Sequence, residues 1–359
     1  MTTPDRSGPT GRRGPLRQGE RVQLSDPRGR LHTITLDPEA TFQTHRGYIR
    51  HSDLIGGSEG SVVRTSGGVE YLALRPLLAD HVMSMPRGAA VVYPKDAAQI
   101  VAWADIFPGA RVVEAGVGSG ALSMFLLEAI GAEGTLLSVE RRADFAEIAQ
   151  ANARTWFGHD HPAWRVAIGD LAEVLPREVA PASIDRVVLD MLAPWENIQA
   201  AARALVPGGV LIAYVATTTQ LSRMAEDLKD SELFTEPRAW ETMVRGWHLE
   251  GLAVRPDHRM VGHTGFLITA RRMADGVVPP LRRRRPSKGA QAPAPEIPDD
   301  QWDADLGAPE VSAKKLRRLR RDQQRAEGLR EARSPGVDSA EAVGSEAEGS
   351  GAQDAEREG

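Results

Sequence analysis

Cysteine is absent from all 359 residues. That excludes disulfides, thiolate catalysis and cysteine-bound zinc, and leaves no need for an oxidising compartment. Aromatic residues are sparse at 5%, although 41% of the chain is hydrophobic, enough for a sizeable aliphatic core. No apolar run approaches the roughly 18 residues of a membrane span. Residues 1–19 are polar and Pro/Gly-rich, without the apolar stretch of a secretory signal. The expectation is a cytoplasmic protein with no membrane contact. Metal and hydrolase chemistry find little support: the nine histidines are scattered, His159 and His161 have no evident third ligand, and no local Ser-His-Asp signature occurs.

Positive charge has no excess overall, with a net charge of −5, but it is segregated. Residues 337–359 hold seven acids against Arg357 alone, whereas residues 282–285 and 314–321 are strongly basic. Local basic patches, rather than the average, would govern any RNA contact.

The stretch that organises the chain is Glu114-Ala115-Gly116-Val117-Gly118-Ser119-Gly120. An apolar run precedes it and a helical pattern follows, the layout of a cofactor-binding turn in an α/β sheet. Glycines there allow a tight turn and close backbone approach, and the helix start offers N–H groups. Gly116, Gly118 and Ala121 fit the spacing of dinucleotide binders, so spacing leaves NAD and S-adenosylmethionine both open. Glu140, at the end of the next apolar run, lies where an acid would take ribose hydroxyls of either. Glu114 favours the methyl donor, because a carboxylate beside the turn is awkward for a pyrophosphate and compatible with a cationic methionine end.

Several short alternating runs over residues 20–75 predict a small β module, either a structural or oligomerising cap or an RNA surface using Arg46, Arg50 and Arg64. Residues 77–85 predict a linker helix, and residues 97–106 an amphipathic helix with Asp96 as its N-cap. Strands and helices then alternate. Strands are expected at 111–115, 136–140, 164–168, 186–189 and 210–216. Helices are expected at 121–130, 143–155, 196–205 and 220–229. Two strand-like runs, 239–249 and 266–271, close the block and suggest an antiparallel edge on a parallel sheet. The Gly turn, Glu140, Asp170 and Asp190 all fall at predicted strand ends, where such sheets bind ligands.

Asp190-Met191-Leu192-Ala193-Pro194-Trp195 adds a carboxylate followed by an aromatic residue. Methylation of a base nitrogen depends mainly on positioning. A carboxylate accepting a hydrogen bond from the base's amino group would also offset positive charge on the ring. Tyr93 and Trp195 are candidates to stack on an extracted base. His263 reads as a buried structural histidine.

Together with the Asp190 stretch, Tyr93-Pro94-Lys95-Asp96, the Glu114–Gly120 turn and Val261-Gly262-His263-Thr264 resemble the tRNA (adenine-58-N1)-methyltransferase family in its bacterial form. Arg21-Val22-Gln23-Leu24, Thr44-His45-Arg46-Gly47 and Arg75-Pro76-Leu77-Leu78 resemble its actinobacterial members. The likeness spans residues 19–272. It implies a class I S-adenosylmethionine-dependent methyltransferase sheet, Rossmann-like and α/β, with a small N-terminal β domain, acting on tRNA as a homotetramer. By resemblance, Gly116, Val117, Gly118, Ser119, Gly120, Ala121 and Leu122 hold the methionine part of the cofactor and Glu140 its ribose. Asp170 contacts its adenine, Asp190 is the catalytic carboxylate, and Tyr93 lines the base pocket. The expected divisions are a disordered leader (1–18), the β domain (19–76), the methyltransferase domain (77–273) and a basic then acidic tail (274–359). Two other readings stay open: a methyltransferase for a protein or small molecule, and a non-catalytic tRNA-binding subunit.

Overall fold

The computed structural model describes residues 12–277, with Arg317 and Arg321 beyond them. The expectations for the rest of the tail and for residues 1–11 lie outside the described residues.

The first unit is built from short strands: β1 (Arg21–Ser25), β2 (Leu31–Thr35), β3 (Thr41–Thr44), β4 (Gly47–Arg50), β5 (Ser61–Arg64) and β6 (Glu70–Leu74). Four form an antiparallel sheet in the order β2-β1-β6-β5, while β3 and β4 make a hairpin. Val22, Leu24, Leu36, Ile49, Leu54, Tyr71 and Ala73 fill its core. Leu16 joins them, only 1% exposed, and exchanges backbone hydrogen bonds with Gly56 and Gly57. The unit therefore begins before residue 19, and residues 12–18 are not the structureless leader their composition suggested.

Helix α1 (Leu78–Ser84) links this unit to the second, which opens with α2 (Pro94–Trp103). The elements that follow are β7 (Arg111–Ala115), α3 (Ala121–Ile130), β8 (Thr135–Glu140), α4 (Ala143–Phe157), β9 (Trp164–Ile168), α5 (Leu171–Glu178), β10 (Ile184–Asp190), α6 (Ile198–Ala204), β11 (Leu205–Val215), α7 (Thr218–Asp230), β12 (Arg238–Trp240), β13 (Trp247–Glu250), β14 (Ala253–Pro256) and β15 (Phe266–Arg271). Seven strands form one sheet in the order β12-β15-β11-β10-β7-β8-β9. Strands β7 to β11 pair in parallel and β15 runs antiparallel to β11. The period-two alternation of these strands sends side chains to opposite faces. Val112, Leu136, Val188, Ile212 and Leu267 pack against α2 and α3 residues such as Ile100, Met124 and Leu127. Val113, Leu137, Val187, Leu211 and Ile268 pack against α5, α6 and α7 residues such as Leu171, Ala201 and Met224. The result is a three-layer α/β/α unit.

Several boundaries differ from expectation. Asp96 does not cap α2; Tyr93 holds the cap position and Asp96 is buried in the first turn. Helix α5 was not anticipated, because Pro176 in its second turn interrupts the helical pattern. The expected helix at 196–205 begins as a 3-10 turn (Pro194–Asn197) before α6. The strand expected at 210–216 begins earlier, as β11, and takes in Pro207-Gly208-Gly209, where the pairing register with β10 shifts. The single run at 239–249 divides into β12, on the main sheet, and β13, which pairs with β14 in a separate hairpin.

Candidate active site

The chain enters the main sheet at β7, steps outward to β8 and β9, and returns to β10 on the other side of β7. The order reverses between β7 and β10, so the crevice beyond their carboxyl ends is the ligand position this topology favours. The glycine turn leaves β7 there, and Asp190 ends β10 beside it.

Three neighbouring strands each bring an acid to this end. Glu114, on β7, is fully buried; its Oε2 accepts from Ser123 Oγ at 2.7 Å and from Ser138 Oγ at 2.6 Å. Its Oε1 is buried without a hydrogen-bond partner. Burial pushes the Glu114 carboxyl up to about 7, against the two serine hydrogen bonds and helped by the nearby charges of Asp190 and Glu140. Glu140, ending β8, accepts from the backbone N–H groups of Val117 at 3.0 Å and Gly118 at 3.1 Å, and from Arg142 N at 3.0 Å. The turn's N–H groups are thus partly engaged by Glu140. Asp190 has no hydrogen-bond partner for its carboxylate among the described residues; burial first and then Glu140 push it up to about 7.

No Lys or Arg side chain among the described residues pairs with any of these three acids. Such a cluster is poorly suited to a pyrophosphate, whose charge would add to the repulsion, and well suited to a cation. The residues therefore fit the sulfonium and amino group of S-adenosylmethionine, with the orphaned Glu114 Oε1 an available acceptor.

The other expected residues distribute as follows. Gly116 and Gly118 form the turn with positive φ, and Gly120 caps α3. Val117, Ser119, Ala121 and Leu122 are buried. Ala121 and Leu122 point into the core, so there the first-turn backbone N–H groups, which have no intrahelical acceptor, would face a ligand. Asp170 stands at the start of α5 and is ion-paired with Arg141, a half-exposed contact that costs little to exchange. Tyr93 begins α2 and is half-buried. Trp195 is not available for stacking on a base: it is 6% exposed, sits in the layer beneath the sheet, and carries Arg223 over its ring at 4.5 Å. His263 is exposed rather than buried. Its Nδ1 faces Glu241 Oε2 at 3.1 Å and its Nε2 faces Ala216 O at 3.0 Å. Both partners are acceptors, which favours the imidazolium and raises the pKa.

Two features escaped the sequence. Tyr214, on β11, lies in register opposite Asp190 and donates to Thr264 O at 2.6 Å; its apolar strand setting hid it. Lys95 Nζ donates to Asp96 Oδ1 at 2.7 Å, Thr242 O at 2.6 Å and Thr264 Oγ1 at 2.7 Å, and Thr264 Oγ1 donates to Asp96 Oδ2 at 2.6 Å. The Tyr93–Asp96 and Gly262–Thr264 stretches, remote in sequence, are thereby locked together at the mouth.

Residues 14–63 match a TrmI-like N-terminal family model, and residues 72–254 match the tRNA methyltransferase complex GCD14 subunit model. The chain is 35% identical over 249 residues to the tRNA (adenine(58)-N(1))-methyltransferase TrmI of Thermus thermophilus, covering 69% of this chain and 95% of that protein. It is 30% identical over 272 residues to a Methanocaldococcus jannaschii tRNA (adenine(57)-N(1)/adenine(58)-N(1))-methyltransferase, covering 69% and 93%. A solved S-adenosylmethionine-dependent O-methyltransferase from Thermotoga maritima superposes with a TM-score of 0.67 at 30% identity, over 75% of this chain and 96% of that one. The tRNA (m1A58) methyltransferase TrmI from Aquifex aeolicus shares the fold, with a TM-score of 0.64 at 22% identity over 73% and 100%.

Proposed function

Because the chain belongs to the tRNA (adenine-58-N1)-methyltransferase family, we propose that Asp190 and Tyr93 meet the target adenine at the crevice mouth, while residues 116–122 and Glu140 hold the methyl donor. The activity is transfer of a methyl group from S-adenosylmethionine to N1 of adenine 58 in tRNA. The observation that carries the site assignment is the convergence of Glu114, Glu140 and Asp190 on three adjacent strand ends with no cationic side chain as partner among the described residues.

The cofactor, when bound, supplies an electrophilic methyl group on a sulfonium. The chain's part is positioning and charge. Glu140 shapes the turn through Val117 N and Gly118 N, and in this reading its carboxylate accepts from ribose hydroxyls as well. Asp190, as carboxylate, accepts a hydrogen bond from the exocyclic amino group of the adenine and offsets the positive charge the ring gains as N1 is alkylated. Tyr93, fixed at the start of α2 by the Lys95–Asp96–Thr264 network, lines the space the unstacked base enters. Asp170 serves the cofactor's adenine by giving up Arg141.

The proposal extends to a cytoplasmic homotetramer. The exposed apolar hairpin β13–β14, with Trp247, Leu249, Leu252 and Val254, supports self-association. Among the described residues no helix is long and apolar enough to cross a membrane, and no group of three or more His, Asp or Glu is placed to hold a metal.

Labelled methyl transfer to unmodified tRNA, followed by nucleoside mapping, tests the reading. N1-methyladenosine at position 58 is expected. Cofactor binding without any tRNA product would redirect the search to a protein or small-molecule acceptor. A light-scattering mass near one 38.9 kDa chain would remove the tetramer.

A further inference from the structure

We propose that Asn152 is a positioning residue for the cofactor turn, held in place through His81 by the N-terminal unit. Asn152 lies on α4 and is 2% exposed. Its side-chain amide donates to Ser119 O and to Pro86 O, each at 2.9 Å. The first carbonyl belongs to the glycine turn. The second begins the segment that crosses it: Gly88 N donates to Ser119 Oγ at 3.0 Å, and a Cβ at Gly118 would touch Ala89 Cβ at 3.5 Å. One amide therefore ties the turn to the strand of chain laid over it, with both protons used.

Asn152 is fixed in turn from the other unit. Its backbone carbonyl accepts from His81 Nε2 at 3.2 Å, and His81 Nδ1 accepts from the Arg21 guanidinium on β1. These partners admit a single tautomer, neutral with the proton on Nε2, because Arg21 can only donate. Burial, followed by the Arg21 charge, pushes the His81 pKa down to about 3, which keeps that tautomer throughout the neutral range. The ring also lies against Trp156 of α4, with centroids 5.2 Å apart. A continuous path of buried polar contacts thus runs from β1 through α1 and α4 to the turn. Asn152 and His81 play no part in the site as described above; they act through Ser119.

This inference rests on the reading that residues 116–122 hold S-adenosylmethionine, so the test includes Glu140→Ala. Binding of S-adenosylmethionine is measured by titration calorimetry on the full chain, with steady-state kinetics in both substrates and a thermal melt of each variant. Asn152→Asp, isosteric but without the donors, is expected to raise the Kd about tenfold, equivalent to about 1.4 kcal/mol. The kcat at saturating cofactor and the KM for tRNA should stay within about twofold. His81→Leu should give the same pattern, and His81→Gln, whose amide can both accept from Arg21 and donate to Asn152 O, should restore tight binding. An unchanged Kd in Asn152→Asp, a tRNA KM that rises with it, or a Gln variant as weak as Leu would overturn the role. If Asn152→Asp fails to fold, the two His81 variants decide. An unchanged Kd in Glu140→Ala instead removes the site reading beneath it.

Discussion

A Cβ placed on Gly116 would lie 1.7 Å from the carbonyl oxygen of Asp190, at a glycine whose φ is +87°. The exits of β7 and β10 are therefore in backbone contact at the point where the sheet order reverses. Any side chain at 116 must push Asp190 away from its place. Gly116→Ala is expected to lose cofactor binding and to cost more than about 2 kcal/mol of stability. Gly131→Ala also adopts positive φ, but its Cβ meets nothing within 4 Å. At φ +66° and ψ −164°, a conformation that suits glycine almost alone, it should cost about 1–3 kcal/mol through the backbone alone and leave binding intact. Denaturant titration and calorimetry of the pair check this; equal effects would show that strain alone, and not the contact with Asp190, decides.

The position of Asp190 also sets a pH dependence. Its carboxyl is pushed up to about 7 by burial and by Glu140, and the proposed reaction uses the carboxylate. In the free enzyme, kcat/KM should rise with pH through about 7. A bound sulfonium favours the ionised form, so kcat should break at lower pH than kcat/KM. Asp190→Asn should lower kcat about a hundredfold and flatten the acid limb that belongs to Asp190. If kcat/KM kept an acid limb near 7 in that variant, the titrating group would be Glu114, whose carboxyl sits equally high.

Glu114 itself links the site to stability. Its carboxyl is raised from 4.5 to about 7, chiefly by burial. The folded state therefore binds the proton more tightly than the unfolded state. That contribution is complete below about 4.5 and is lost as pH rises to 7, on the order of 3 kcal/mol. His81 works the other way: held down to about 3 from 6.5, it favours folding above 6.5 and loses that contribution as pH falls. Glu114→Gln should thus raise the melting temperature of the ligand-free protein at pH 8 and change it little at pH 4, while weakening S-adenosylmethionine binding. A variant that melts lower at pH 8 would mean the carboxylate is stabilised by a contact beyond its two serines.

The order of strands and helices was legible because each strand from β7 to β10 is a short aliphatic run ending in a residue that breaks it: the glycine turn, Glu140, Gly169-Asp170 and Asp190. The same endings marked the site, since strand ends on one side of a parallel sheet meet. What stayed hidden depends on register and tertiary contact. Tyr214 reads as one more core residue until its pairing with Asp190 is known. Trp195 carried an attractive chemistry but faces the apolar layer under the sheet, where burial outweighs any role in stacking. Asp96 satisfied the N-cap rule, yet its carboxylate is claimed by the neighbouring Lys95 and by Thr264, 168 residues away in the chain.

That last network yields a separation of functions. Lys95 contributes three donated hydrogen bonds at the mouth, and Asp96, 1% exposed, depends on it for charge compensation. Lys95→Met removes the cation and leaves a buried carboxylate with only the Thr264 hydroxyl among the described residues. Breaking one side of such a pair costs about 3 kcal/mol or more. Lys95→Met with Asp96→Asn removes both charges and should recover most of that stability, since a neutral amide needs no counter-ion. Neither change touches the acids of the cofactor end, so the Kd for S-adenosylmethionine should hold. The loops at 241–246 and 262–265, no longer pinned to α2, should instead loosen around the start of α2, where Tyr93 is proposed to line the base pocket, and around Thr264, whose carbonyl accepts from Tyr214. The expected signature is a KM for tRNA raised about tenfold in both variants, in the double variant despite its restored melting temperature. If stability and tRNA affinity returned together in the double variant, the network would be a folding element and not a shaper of the base pocket.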